Sequence, residues 1–434
     1  MWTTERILGL APDESSAKAG QGLASPRKWV TVGQTERILW GECQGSGSKP
    51  YQTQIDLSEP AFKCSCPSRK FPCKHALGLF LMLGPKVGTV TGEPPAWVTA
   101  WLATRAEKAA KKQEKIEKAA EAPVDPAAAA KRLADRFGKI TAGAADLQTW
   151  LEDMVRQGLA AAQTADGKFW ETPAARMVDA QAPGLARLVR EIPENNGPEW
   201  HVGALRKAAR LHLVLQATQR LDALPDDLRR DVRQAVGVPI KEEELAPLPA
   251  VKDRWHVLGQ TVEEEERLKT QRTWLIGEAT NHAAPVLEFA YGGQPLKSTL
   301  VVGTQFDGEL VFYPGSQALR AAIRNRAAET TESHGLAGHA TVAAALATYA
   351  DALARTPWLE TFPLALANMR LVKDGENLLA VDSERRILPL EASDARQWLM
   401  LSLTGGHPAG LFGEWTGTVL LPRSVWLEGV VHGL

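Results

Sequence analysis

The stretch from Phe62 to Leu83, FKCSCPSRKFPCKHALGLFLML, constrains this chain more than any other. It holds three of the four cysteines of the protein and a histidine, in the spacing Cys64-x-Cys66-x6-Cys73-x-His75. Three thiols and an imidazole so close together point to a tetrahedral Zn2+ site, because zinc takes four ligands of this soft and borderline type. A site with all four positions filled by protein is structural rather than catalytic. A disulfide reading fits poorly: two cysteines one residue apart close a strained ring, and a long chain with so few cysteines is no secreted scaffold. Inert or redox-active thiols are the plain alternative. Cys43 stands apart and reads as an ordinary buried or free thiol.

The residues before the motif read as strands. Trp29-Val30-Thr31-Val32 is one; Arg37 to Cys43 and Tyr51 to Leu57 flank a Gly/Ser loop at Gly45 to Ser48 and form a hairpin. Tyr51, Thr53, Ile55 and Leu57 fall on one face, the pattern of a half-buried strand. Pro67 stiffens the turn after Cys66, and Cys73-Lys74-His75 opens a helix that stops before Gly84-Pro85. That helix is apolar around nearly its full circumference, so it is buried. It is expected to pack under the hairpin on one side and on N-terminal or Trp97 and Trp101 side chains on the other.

CxC followed by CxH, behind a hairpin and running into an apolar helix, resembles the SWIM zinc finger. The text WGECQGSGSKPYQTQIDLSEPAFKCSCPSRKFPCKHALG is similar to bacterial SWIM proteins, and the close resemblance covers residues 35–85. It implies zinc ligation by Cys64, Cys66, Cys73 and His75, and a role in contacting DNA or other proteins. Bacterial members often sit beside MoxR-type AAA+ ATPases and von Willebrand A-domain proteins, which suggests a partner.

Lys63, Arg69, Lys70 and Lys74 surround the ligands. They make a phosphate-contacting patch, or they offset the net −1 charge of three thiolates on one dication. The loop is too poor in aromatics for base stacking. Over the whole chain, 50 Lys and Arg balance 51 Asp and Glu, which argues against a surface built throughout for nucleic acid. No secretory leader is legible at the start, and no segment approaches ~18 uncharged apolar residues. A cytoplasmic protein without a membrane span is expected.

At 434 residues the chain has length for several domains. The expected fold is α+β and multidomain. Residues 1–102 carry the small ββα-like finger, and 103–129, rich in Ala, Lys and Glu, form a solvated spacer helix. Residues 130–246 are helical: Leu147, Trp150, Leu151, Met154 and Val155 form an amphipathic stripe, and further helices run over 184–192, 202–221 and 226–237. His201 and His212 there have no partner at ligand spacing. Residues 247–434 read as a mainly antiparallel sheet region. Its strands lie near Trp255 to Leu258, Gln271 to Gly277, Val286 to Phe289, Leu300 to Val302, Glu309 to Tyr313, Ala380-Val381, Ile387-Leu388, Gly417 to Leu421 and Val425 to Leu427. Leu319 to Ile323 and Thr341 to Leu353 read as helices, and Glu263 to Glu266 as a solvated loop or helix start.

The sequence contains no GxxxxGK[ST], HExxH, GxSxG or dinucleotide fingerprint. His334 and His339, with Glu332, make a poor second metal set without a cysteine. The stretch 401–415 reads as a Gly-rich turn between a helix and a strand, with no chemical role. Three functions stand: a non-catalytic interaction protein, a nucleic-acid binder acting through the finger, and an enzyme with its site in the C-terminal part. The first fits best.

Overall fold

The computed structural model describes residues 1–434 apart from 1, 3, 46–48, 58–60, 69, 87–91, 122–125, 195–198, 266–267, 292–295, 297–299 and 328. Two short helices, α1 (Thr4–Gly9) and α2 (Glu14–Gln21), open the chain. The antiparallel sheet β1 (Trp29–Gln34), β2 (Ile38–Cys43), β3 (Tyr51–Asp56) and β4 (Ala61–Cys64) follows, with its strands in sequence order. Helix α3 (Lys74–Leu83) lies on one face, where Leu79 and Phe80 lose all solvent contact against Ile7, Trp29, Leu39 and Ile55, and Leu77 is fully buried beside Gly20 of α2. Two glycines let α2 cross α3 closely. A Cβ at Gly20 would stand 2.6 Å from Leu77 Cβ, and one at Gly78 would stand 2.6 Å from Leu23 Cβ.

The other face of the sheet is covered at β2 and β3, which corrects the half-buried reading of β3. Gln54 and Asp56 are 2% and 1% exposed, because α4 (Ala96–Glu121) covers them. Trp97, Val98 and Trp101 of α4 pack on Ile38 and Trp40. Arg37 and Arg105 each reach Asp56 Oδ2 at 3.4 Å. The apolar helix α3 therefore meets the N-terminal helices, whereas Trp97 and Trp101 cover part of the opposite side of the sheet, at β2. The Ala/Lys/Glu stretch continues α4 without a break from these tryptophans, so the helix starts inside the finger module.

The middle of the chain is helical, comprising α5 (Pro126–Gln157), α6 (Leu159–Gln163), α7 (Gly167–Asp179), α8 (Pro183–Glu191), α9 (Trp200–Gln219), α10 (Asp226–Ala235) and α11 (Glu242–Leu245). Leu147, Leu151 and Met154 on α5 close onto Trp170, Leu188, Leu211 and Leu215 in one core. Helix α7, which contains Pro173, has no counterpart in the sequence reading.

The C-terminal region is α+β, but its two sheets roll into barrels. The first uses β5 (Val251–Glu265), β6 (Leu268–Gly277), β7 (Ala283–Tyr291), β8 (Thr304–Phe312) and β9 (Ala321–Arg326), with β10 (Thr331–Glu332) on its edge. Strand β5 pairs with β6 and β8, β6 with β7, and β8 with β9. A parallel contact, Val286↔Ala321, closes β7 onto β9. Helix α12 (Val342–Arg355) leads to the second barrel: β11 (Phe362–Asp374), β12 (Asn377–Val381), β13 (Ile387–Leu390), α13 (Asp394–Thr404), β14 (Ala409–Trp415), β15 (Leu420–Leu427) and β16 (Val430–Gly433). It repeats the plan, with β11 between β12 and β14 and a parallel contact, Leu390↔Leu420, closing β13 onto β15. First strand between second and fourth, third against fifth, is the Greek-key plan of an OB-fold barrel.

Several local readings change accordingly. Leu319 to Ile323 is not a helix: from Ala321 it is strand β9, where pairing to β8 overrides the helix propensity of its alanines. Leu300 to Val302 is not a strand but the bend into β8, and Leu300 points into the first barrel. Glu263 and Glu264 lie within strand β5 rather than in a loop or helix. Residues 416–419 are the turn between β14 and β15.

Leu258, Trp274 and Ile276 of the first barrel pack on Phe412, Trp426 and Val431 of the second. Between the barrels the carboxylate of Glu414, 1% exposed, accepts from Arg272 at 2.9 Å and Arg423 at 2.7 Å. Replacing Glu414 by Leu would strand two guanidinium groups. With Arg272 itself partly exposed, the loss is expected near the low end for a broken buried pair, ~3 kcal/mol, read as a lower denaturant midpoint for the barrel pair.

Candidate metal centre

Three elements bring the four ligands together. Strand β4 delivers Cys64 opposite Thr53, the loop after it delivers Cys66, and the start of α3 delivers Cys73 and His75. Cys73 is the N-cap of α3 with an extended backbone, φ −75° and ψ 166°, so its sulfur turns back to the loop while His75 rises from the first helical turn. The Sγ atoms of Cys64, Cys66 and Cys73 and a ring nitrogen of His75 all lie within 4.8 Å of one another. His75 Nδ1 is 3.8 Å from Cys64 Sγ and 4.0 Å from Cys73 Sγ. A zinc tetrahedron with ~2.3 Å bonds to sulfur and ~2.0 Å to nitrogen has edges of roughly 3.5–3.8 Å, so the donors fit the ion in kind and in spacing. Cys73 and His75 are 5% and 6% exposed, and Cys64 and Cys66 are half-buried.

The surroundings prepare thiolates. The Thr53 hydroxyl donates to Cys64 Sγ at 3.2 Å. A hydrogen bond from Cys73, with further ones from His75, Thr53 and the Cys66 amide, holds Cys64 down at about 4 against its burial. The Cys73 thiol is pushed far up, first by its bond to Cys64 and then by burial, while burial raises Cys66. The cluster by itself therefore ionises at one sulfur, and three thiolates need a dication among them. Zinc supplies the positive charge that holds the three sulfurs and His75 Nδ1 in one place, a structural role.

Cys43 is buried, its thiol donating to the Lys28 carbonyl at 3.4 Å, outside the cluster. Of the basic residues, Lys70 contacts Asp13 Oδ2 at 2.8 Å and donates to Ser15 Oγ at 3.0 Å. Asp13 also caps α2, accepting from the Ser16 amide at 2.7 Å. Lys63 and Lys74 are exposed, and Arg69 lies outside the described residues. His334 Nδ1 meets the Gly429 carbonyl at 3.2 Å, and His212 meets Gln148 at 3.0 Å. Among the described residues the three cysteines and His75 form the group able to hold a metal ion. The Asp13–Lys70 contact carries no sequence signal, since 57 positions separate the partners.

A closed Cys3His knuckle between a β-hairpin and an apolar helix defines a zinc-finger protein. Residues 51–84 match the SWIM zinc finger, and residues 135–236 match the SWIM-associated four-helix bundle domain. The chain thus carries a SWIM zinc finger followed by a SWIM-associated four-helix bundle domain. Comparison with curated proteins and with solved structures returns no match.

One zinc per chain is expected by elemental analysis, and Cys73→Ser should lose both the metal and the fold of residues 51–84, as read by amide exchange. Cys66 and Cys73, raised in the metal-free cluster, hold protons at neutral pH and lose them to the metal, so zinc affinity rises with pH. Two displaced protons predict a fall of ~100-fold per pH unit below neutrality, measurable by competition with a chromophoric chelator.

Proposed function

We propose that this protein is a non-catalytic, zinc-stabilised adaptor that works by protein–protein contact in the cytoplasm, where its thiolate ligands stay reduced. The observation that carries this reading is the charge balance at the rim of the finger, where Lys70 is already paired while Lys63 and Lys74 stand exposed. Lys70 is engaged by Asp13 and Ser15, and three thiolates on a dication leave the centre at net −1. A finger made for a polynucleotide would present a run of uncommitted cations instead. The balance of 50 basic and 51 acidic residues supports the same reading. Among the described residues no helix is long and apolar enough to cross a membrane. The resemblance to bacterial SWIM proteins supplies the partner class, a MoxR-type AAA+ ATPase or a von Willebrand A-domain protein.

A second reading, nucleic-acid binding, draws on the barrels. OB-fold barrels bind oligonucleotides on the face of their second and third strands. Phe289 and Tyr291, 53% and 61% exposed, stand two residues apart on β7, the third strand of the first barrel, in the manner of a stacking platform. Glu263, aligned with Thr270 and Phe289 across the strands, repels a phosphate chain, so this reading ranks second.

Affinity capture with mass spectrometry, using wild type and Cys73→Ser, tests the choice. Wild type is expected to recover a protein partner that the variant loses. Recovery of nucleic acid without a protein partner, with an affinity that falls steeply with salt and with Tyr291→Ala, would establish the second reading in its place.

A further inference from the structure

An open cleft of about 640 Å³ lies beside the zinc centre, between α2, the end of β2 and the metal-binding loop, and His75, Lys74, Lys70, Tyr51 and Leu23 are on its wall. We propose that this cleft docks a single acidic side chain from an extended segment of a partner protein. The proposal rests on the adaptor reading and names the chemistry of its contact.

The donors decide the ligand. With Nδ1 on zinc, Nε2 of His75 carries the ring proton and can only donate. His75 is 6% exposed and stands on the wall of the cleft. Nδ1 faces the sulfurs of Cys64 and Cys73, and Nε2 has no partner among the described residues. Lys74 stands exposed on the first turn of α3, where the helix dipole also favours negative charge.

Charge then sets the size of the ligand. Lys70 and Asp13 cancel at the rim, and among the described residues of the cleft wall Lys74 is the cation without an acidic partner. That suits a single carboxylate, whereas a run of phosphates would meet Asp13 and the net −1 zinc centre. Tyr51, with its ring centroid 5.0 Å from that of His75, and Leu23 offer an apolar flank for the methylene carbons of a Glu or the neighbouring residues of a peptide.

The full, zinc-loaded chain with 15N-labelled histidine gives the test. The probes are acetyl-Ala-Glu-Ala-amide, its Gln counterpart, inorganic phosphate and a short single-stranded thymidine oligonucleotide. The Glu peptide is expected to shift the His75 Nε2–H resonance saturably, with the Gln peptide about 10-fold weaker because it lacks the charge-assisted bond. Lys74→Ala should weaken the Glu peptide several-fold with zinc content unchanged. Equal binding of the Gln peptide, no shift with the Glu peptide, tighter binding of phosphate or the oligonucleotide, or indifference to Lys74→Ala overturns the proposal. Affinity capture with Lys74→Ala separates the two readings. A protein partner held equally by variant and wild type removes the cleft and leaves the adaptor standing; no protein partner with wild type removes the adaptor.

Discussion

Repulsion among sulfurs, and its relief by a dication, is the interaction on which the N-terminal module depends. Cys64, Cys66 and Cys73 stand close enough that the ionisation of one suppresses the others. Only a cation among them makes the trio stable as thiolates, and structural zinc in small modules is associated with ~10 kcal/mol or more of folding free energy. No single buried side chain of α3 competes with that, since a fully buried Leu or Phe contributes about 1.5–3 kcal/mol. The metal therefore fixes where α3 begins, and α3 then organises what lies around it. Its apolar surface holds α1, α2 and one face of the sheet, and its two glycine-mediated contacts with α2 bring Asp13 within reach of Lys70.

The C-terminal barrels are held by other means. Their seam combines aromatic packing, with Trp274 and Phe412 centroids 6.2 Å apart, and the Glu414 carboxylate between two arginines. The bundle joins them through polar contacts and one aromatic ring: Arg187 bonds Glu360, the Ser316 amide donates to Asp231 at 3.0 Å, and Trp358 packs on the bundle core. The finger needs a metal because its sheet is small. The barrels need none, because each encloses a core of its own, around Trp255 and Leu310 in one and Leu364 and Leu411 in the other.

Legibility in the sequence follows the range of the interaction. The zinc ligands lie within one short stretch, and their identity and spacing carry the chemistry in plain view. The amphipathic stripe of α5 and the all-round apolar surface of α3 were equally local signals. What the sequence hid was long-range. The burial of Gln54 and Asp56 depends on α4, whose Arg105 reaches Asp56 across 49 positions. Barrel closure depends on contacts such as Val286↔Ala321, which recruit a segment whose alanines favour helix. Strand β11 is not legible in the sequence because its alternation breaks at the register shift between Leu366 and Met369, where Asn368 takes φ 54°. The pairing of Lys70 was also invisible, and with it the reduced free charge of the finger.

Helix α4 has two allegiances. Its first turns close one side of the finger, yet it runs on for 26 residues, roughly 39 Å at the rise of an α-helix, and it also touches α11. The grip of Trp97, Val98 and Trp101 on the sheet sets the direction in which this rod leaves. Anything that loosens the sheet, loss of the metal included, would let that heading wander, so a local chemical event at four side chains becomes a change in steric reach far from it.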